Sequence, residues 1–252
     1  MRSKQSAKQL VRRVFGEPYV GKRLKKRNLD RALRRIEIKC SDVLDAGAGD
    51  ASFVYWLADR FQTANVTALD VDAGIVSDCA RAQPRKYTDR VAFEAGEFAD
   101  LPAESFDLAI ALDVLEHIRD DEDAVRELFR ALRPRGTLIV HVPRDVWTHS
   151  DGRQERVPDA EAWRINEGHV RMGYSPERLC ELLERAGFEV VDTQLWLRRW
   201  GVRAHIFYTR IEHVIPLRLV SAIFTDLAAV LDRRRPPAEG NTVYVRAVKR
   251  VS

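Results

Sequence analysis

Between residues 42 and 142 the chain repeats one hydropathy pattern, a short run of Val, Ile, Leu and Ala followed by a helical stretch. The runs DVLDA (42–46), VTALDV (66–71), VAFEAG (91–96), FDLAIAL (106–112) and TLIVHV (137–142) read as buried strands. The clearest helix spans 120–136. Acids crowd its first turn, Val125, Leu128, Phe129 and Leu132 mark one face, and Pro134 and Gly136 end it. A second helix, 175–187, has Ser175 at its N-cap, Pro176 in its first turn and Gly187 at its C-cap. Two further strands follow at 188–196 and 242–249. This alternation specifies an α/β protein, a Rossmann-like, mostly parallel sheet with helices on both faces. Such sheets bind ligands beyond the carboxyl ends of their strands. The loops after Asp45, Asp70, Gly96, Leu112 and Val142 are therefore expected to line one cleft.

The first of these loops lies within the stretch VLDAGAGDAS, residues 43–52. Glycine permits a positive φ and close approach of backbone to a ligand. A dinucleotide fold would carry G-x-G-x-x-G, but the third position here is Ser52. Asp45 lies two residues before Gly47, where a pyrophosphate would be repelled and a cationic amine or sulfonium attracted. Asp70 closes the second strand, a position suited to a ribose diol. S-adenosylmethionine has both features.

VLDAGAGDA, VTALDVD, VAFEAGEFADLPAESFDLAIALDVLEHIRD and LRPRGTLIVHVP, in this order, resemble the successive motifs of class I S-adenosylmethionine-dependent methyltransferases. The likeness covers roughly residues 40–145, with a weaker echo at 168–196, and points to the branch of ubiquinone-biosynthesis and small-molecule or glycan-modifying enzymes. It implies a seven-stranded sheet whose last strand is antiparallel, which TVYVRAVK (242–249) fits. It also implies roles. The backbone from Ala46 to Gly49 would pass the methionine part of the cofactor, with Asp45 organising the loop near its amine. Asp70 would accept from the ribose hydroxyls, Val71 and Phe98 would pack beside adenine, and Glu97 would take the adenine amino group. Asp113 would lie under the methionine tail. Ala51 departs from the family pattern, where a third glycine is frequent.

Methyl transfer to oxygen needs a proton acceptor on a strand-end loop. His117, in DVLEH, is best placed, ahead of His141, His149 and His169. The same motif resembles an E-x-x-E-H arrangement that holds a divalent cation in two kinds of relative, with Asp113, Glu116, His117 and a later His169 as ligands. Asp113 is one carbon shorter than the glutamate of those relatives, so no metal is expected.

Charge divides the chain. Residues 1–39 carry 14 Lys and Arg against 3 Asp and Glu, and residues 190–252 carry 11 against 5, around an acidic middle. The basic flanks read either as solvated faces or as contacts to something anionic. The expected organisation is a basic segment, 1–39, covering the cleft of a methyltransferase domain, 40–252. That domain would include a polar lid at 143–174 with Trp147, Trp163 and Tyr174, and a helical insertion at 197–240. Arg144, Arg171, Tyr19 and Arg23 are expected to face the acceptor. In the insertion Ile215, Leu219, Ile223, Leu227 and Leu231 recur every four residues, flanked by Arg198, Arg199, Arg203 and Arg233–Arg235. That face either packs within the protein or lies on an anionic membrane.

Three scattered cysteines and the lack of an apolar leader point to a cytoplasmic setting, with membrane association as the alternative. The expected activity is O-methylation of a small molecule or glycan. An isoprenoid or lipid-linked acceptor is the second reading, and a nucleic-acid-binding or regulatory protein on the same fold the third. No aromatic-plus-basic RNA module is evident, which argues against a nucleic-acid partner.

Overall fold

The computed structural model describes residues 20–34, 40–149, 151–156, 168–211, 225, 227–228, 230–232 and 239–250. Two compact units are distinguished, one of residues 38–146, 156–194 and 242–252, the other of 1–37, 147–155 and 195–241.

The larger unit is built on strands β1 (Asp42–Ala46), β2 (Asn65–Asp70), β3 (Val91–Ala95), β4 (Phe106–Leu112), β5 (Leu132–Pro143), β8 (Phe188–Trp196) and β9 (Thr242–Lys249). They form one seven-stranded sheet in the order β3-β2-β1-β4-β5-β9-β8, while β6 (Val146–Thr148) and β7 (Gln154–Arg156) pair as a separate two-stranded sheet. The pairs β1–β2, β1–β4, β2–β3 and β4–β5 are parallel, and β9 runs antiparallel to β5. The last strand is thus inserted antiparallel, as the family resemblance implies. Helices α2 (Val54–Arg60), α3 (Ala73–Arg81), α4 (Asp121–Ala131) and α5 (Pro176–Arg185) connect the strands. The central strands are buried on both faces, so β1 and β4 read as continuous apolar runs.

Helix α4 ends at Ala131, five residues before the boundary expected from Gly136. Leu132 instead opens β5 and pairs with Phe106, and the register shifts between Phe106 and Leu108. Arg133 is pinned at 2.9 Å to both Asp42 and Asp107. Burial opposes charge on Asp107, but the Arg133 guanidinium and the amides of Ser41 and Asp42 outweigh it and hold its carboxyl below the usual range. Tethered at Arg133, the Pro134–Gly136 stretch kinks an extended strand rather than closing a helix, with Arg135 at φ +66°.

In the smaller unit, α1 (Val20–Leu33) and α6 (Arg199–Ile211) share a core of Leu24, Ala204, Tyr208 and Ala228. The basic segment thus contributes core residues, Leu29 and Leu33 among them, as well as charge. Asp232 accepts from the Trp200 and Gly201 amides at 3.0 Å each, satisfying first-turn donors of α6. The expected four-residue face is only partly described, because Ile215, Leu219, Ile223 and Arg233–Arg235 lie outside the described residues. Of the rest, Leu227 is 52% exposed, whereas Thr225 and Ala228 are buried. The packed face therefore runs through 225, 228 and 232, not through Leu227. Among the described residues no helix is long and apolar enough to cross a membrane.

Candidate active site

The turn after β1 is fastened to the end of β2. The amides of Gly47 and Ala48 both donate to the Leu69 carbonyl, at 2.8 and 2.9 Å. The Gly49 amide donates to Asp70 Oδ2 at 2.7 Å, and the Asp72 amide to Asp70 Oδ1 at 3.0 Å. Gly47, Gly49 and Ala51 all have positive φ, at +79°, +50° and +57°. A Cβ on Gly47 would lie 2.5 Å from Val114 Cγ2, so glycine there lets the β1 and β4 ends converge. Asp45 and Ala46 end β1 beneath this turn, both buried.

A cleft of about 650 Å³ opens over these strand ends, a size usual for small-molecule sites. Gly47, Gly49, Asp70, Val71, Glu97, Phe98, Asp113 and His117 all line it, so the structure brings most of the expected site residues together. Val71 is 74% exposed, an apolar side chain available to a ligand beside Asp70. Glu97 caps a short 3-10 turn, Phe98–Asp100, in a reciprocal capping box that orients its carboxylate. Among the described residues the lining holds six carboxylates (Asp70, Glu97, Asp113, Asp120, Asp123 and Glu127) and no Lys or Arg. A pyrophosphate would meet only repulsion there, whereas a ligand bearing a sulfonium and an ammonium is electrostatically matched.

The loop after β5 does not line this cleft, contrary to expectation. Beyond β5 the chain zips against Tyr174 instead, with Tyr174 N donating to Pro143 O at 2.9 Å and Asp145 N to Tyr174 O at 3.3 Å. His141, buried in β5, binds Asp113 Oδ1 through Nδ1 at 2.7 Å. The Asp113 amide in turn donates to the His141 carbonyl at 2.8 Å. This reciprocal clamp holds Asp113 at φ +57° on the cleft wall.

His117 sits on the 3-10 turn Leu115–His117. Its Nδ1 lies 3.1 Å from the Gly168 carbonyl, and its ring meets that of His169 edge-on at 4.6 Å. A carbonyl only accepts, so Nδ1 is the donor in this contact, and the neutral tautomer that fits it has its lone pair on Nε2. Burial, then the neighbouring His117, push the His169 imidazole below its usual pKa, against a smaller opposing effect of Asp113. Ligand atoms of Glu116, His117 and His169 lie within 4.8 Å of one another and could take a cation, but Asp113 is engaged by His141 instead. His149 pairs with Glu155 at 3.1 Å, in the other unit.

Two expectations for the polar stretch need correction. Arg171 does not face an acceptor. Its side chain is buried and turned inward, donating to the carbonyls of Leu115, Ile118 and Arg119. Tyr174, expected on a lid, is fully buried. Periodicity could not reveal either, because both side chains are held by residues distant in sequence, Leu115 among them. Tyr19 and Trp163 lie outside the described residues. Residues that sequence reasoning missed are Val114 and Gly168, which face Gly47 and His117; the positive φ of Gly168, +93°, marks a turn that GH signals only weakly.

The fold and the acid-lined cleft at its strand ends define an α/β protein whose cleft is matched to a small cationic ligand. Residues 15–193 match the family of methyltransferase domains, and the chain belongs to it. A probable S-adenosylmethionine-dependent methyltransferase of Mycolicibacterium smegmatis is 35% identical over 164 residues, 64% of this chain and 57% of that protein. The chain thus spans less than two thirds of that relative. The solved [4+2]-cyclase SpnF is 26% identical, with a TM-score of 0.61 over 90% of this chain and 82% of that one. The fold is also that of Haemonchus contortus phosphoethanolamine N-methyltransferase 2 in complex with S-adenosyl-L-methionine, with a TM-score of 0.66 at 15% identity, over 97% of this chain and 60% of that one. The cofactor of the family is S-adenosylmethionine, and the residues lining the cleft fit it.

Proposed function

We propose that the protein methylates an oxygen of a small molecule or glycan, using S-adenosylmethionine. The bound cofactor would supply an electrophilic methyl group on sulfur. The chain supplies position and proton transfer. Asp70 has lone pairs left for two ribose hydroxyls beyond its bonds to Gly49 and Asp72. Val71 and Phe98 would flank the base and Glu97 accept its amino group. Asp45 and the backbone from Ala46 to Gly49 would hold the methionine part, and the clamped Asp113 would attract its ammonium.

The observation carrying the oxygen assignment is the Nδ1–H of His117 against the Gly168 carbonyl. It leaves Nε2 as proton acceptor on the cleft wall, and a hydroxyl acceptor must lose a proton as it is methylated. A lipid-linked acceptor is the second reading. It is favoured by Ile206 and Phe207, both more than a third exposed on α6, beside the exposed Arg203.

The test is incubation with methyl-labelled cofactor and fractionated cell extract. Label in a base-stable, water-soluble product, lost in His117→Gln, is the expected result. Label in the lipid phase would favour the second reading. Tight binding of S-adenosylhomocysteine without label transfer would overturn methyl transfer and favour a regulatory or other use of the fold.

A further inference from the structure

We infer that Arg171 and Tyr174 are positioning residues that set the ring of His117, so that the segment 168–174 holds the acceptor side of the cleft in register. This rests on the reading of His117 as proton acceptor.

The segment runs along the loop after β4 and touches it repeatedly. The Val170 amide donates to the Glu116 carbonyl at 3.0 Å. Arg171 Nη1 donates to the carbonyls of Leu115 and Ile118 at 2.7 and 2.6 Å, and Nη2 to that of Arg119 at 2.9 Å. The same guanidinium donates to Tyr174 Oη at 2.9 Å, and the Tyr174 hydroxyl reaches Asp121 Oδ2 at 2.8 Å. Tyr174 is itself tied to the end of β5 through Pro143 and Asp145. Rigid sheet, buried tyrosine, buried arginine and loop are therefore linked in series, and His117 stands at the end.

Burying a guanidinium is costly unless its donors are used. Here they meet three carbonyls of a turn too short to satisfy them by its own helix, and Asp121 lies 3.4 Å away to balance the charge. Two of the carbonyls share Nη1 and the third takes Nη2, so a lysine's single nitrogen cannot reproduce both ends of the fork. Burial, then the Asp121 carboxylate, push the Tyr174 phenol upward, so it remains a donor.

Two glycines complete the device. A Cβ on Gly173 would lie 2.3 Å from the Pro143 carbonyl, so glycine allows the segment to seat against β5. Gly168, at φ +93°, presents its carbonyl to His117 Nδ1. The ring is thus fixed twice, by its backbone turn through Arg171 and by its tautomer through Gly168.

The test uses the full chain with S-adenosylhomocysteine as probe. Long-range proton–nitrogen NMR reads the His117 tautomer in wild type, Arg171→Met, Arg171→Lys and Tyr174→Phe. Wild type is expected as the Nδ1–H form. Both Arg171 variants should show mixed tautomers, and Tyr174→Phe a smaller change. Binding of S-adenosylhomocysteine should stay within about threefold, while label transfer to extract falls at least tenfold in Arg171→Lys. Should Arg171→Met fail to fold, Arg171→Lys and Tyr174→Phe carry the test. An unchanged tautomer and unchanged label transfer in those two would overturn the inference. A shifted tautomer with label transfer unaffected in His117→Gln would leave the positioning intact and overturn the proton-acceptor reading alone.

Discussion

Gly47 is where the glycine turn meets the loop after β4, and its replacement by alanine isolates that contact. Two costs are expected. A left-handed φ of +79° is unfavourable for alanine by about 1–2 kcal/mol. The new Cβ would also lie 2.5 Å from Val114 Cγ2 and 3.0 Å from Cγ1, overpacking of a kind that costs about 1–3 kcal/mol. Lower unfolded-state entropy returns about 0.4–1 kcal/mol. Gly47→Ala should therefore destabilise by about 1–4.6 kcal/mol. In a Val114→Ala background both methyls are gone and the nearest atom is Val114 Cβ at 3.3 Å, so mainly the backbone cost remains. A double-mutant cycle by urea unfolding should give a coupling of about 1–3 kcal/mol, with the two changes less harmful together than summed. S-adenosylhomocysteine affinity should recover in parallel, since both residues line the cleft. Additivity within about 0.5 kcal/mol would refute the clash as the reason for glycine.

Asp70→Asn should weaken S-adenosylhomocysteine at least about tenfold, the loss of roughly one charge-assisted hydrogen bond, as read by calorimetry. Ala51→Gly should stabilise by about 0.5–1 kcal/mol in urea unfolding, because φ +57° strains alanine more than glycine costs in entropy. His169 has a depressed pKa when folded, so the unfolded chain binds its proton first as pH falls; stability should drop below about pH 6.5, and His169→Gln should flatten that slope. Methyl transfer should survive exhaustive chelation, since Asp113 is committed to His141 and His117 Nδ1 to Gly168, leaving too few oxygen ligands for Mg²⁺. Loss with EDTA and recovery with Mg²⁺ or Mn²⁺ would count against it.

The sheet was legible because its central strands are buried on both faces and say so in every residue. β1, β4, β8 and β9 fall at the boundaries that hydropathy and turn residues mark. The lining of the cleft was legible for a related reason: most of its expected residues lie within a few positions of a strand end, so locating the strand locates the side chain. Where a boundary went astray, at Leu132, a tertiary tie overrode a local stop signal, as Arg133 bridges Asp42 and Asp107 across three strands.

The acceptor side behaves otherwise. Its wall is assembled from the loop after β4 and a segment more than 50 residues later, and no period links them. Arg171 illustrates the difficulty. In a polar stretch before helix α5, an arginine has the composition of a solvated loop, and its charge suggests an anionic acceptor. Three backbone carbonyls decide otherwise, and a carbonyl has no sequence signature, since every residue has one. The residues of this wall are therefore reached through burial. A polar side chain that is buried and spends its donors on backbone marks a wall that must not move, and here that wall carries His117, which we propose as the proton acceptor.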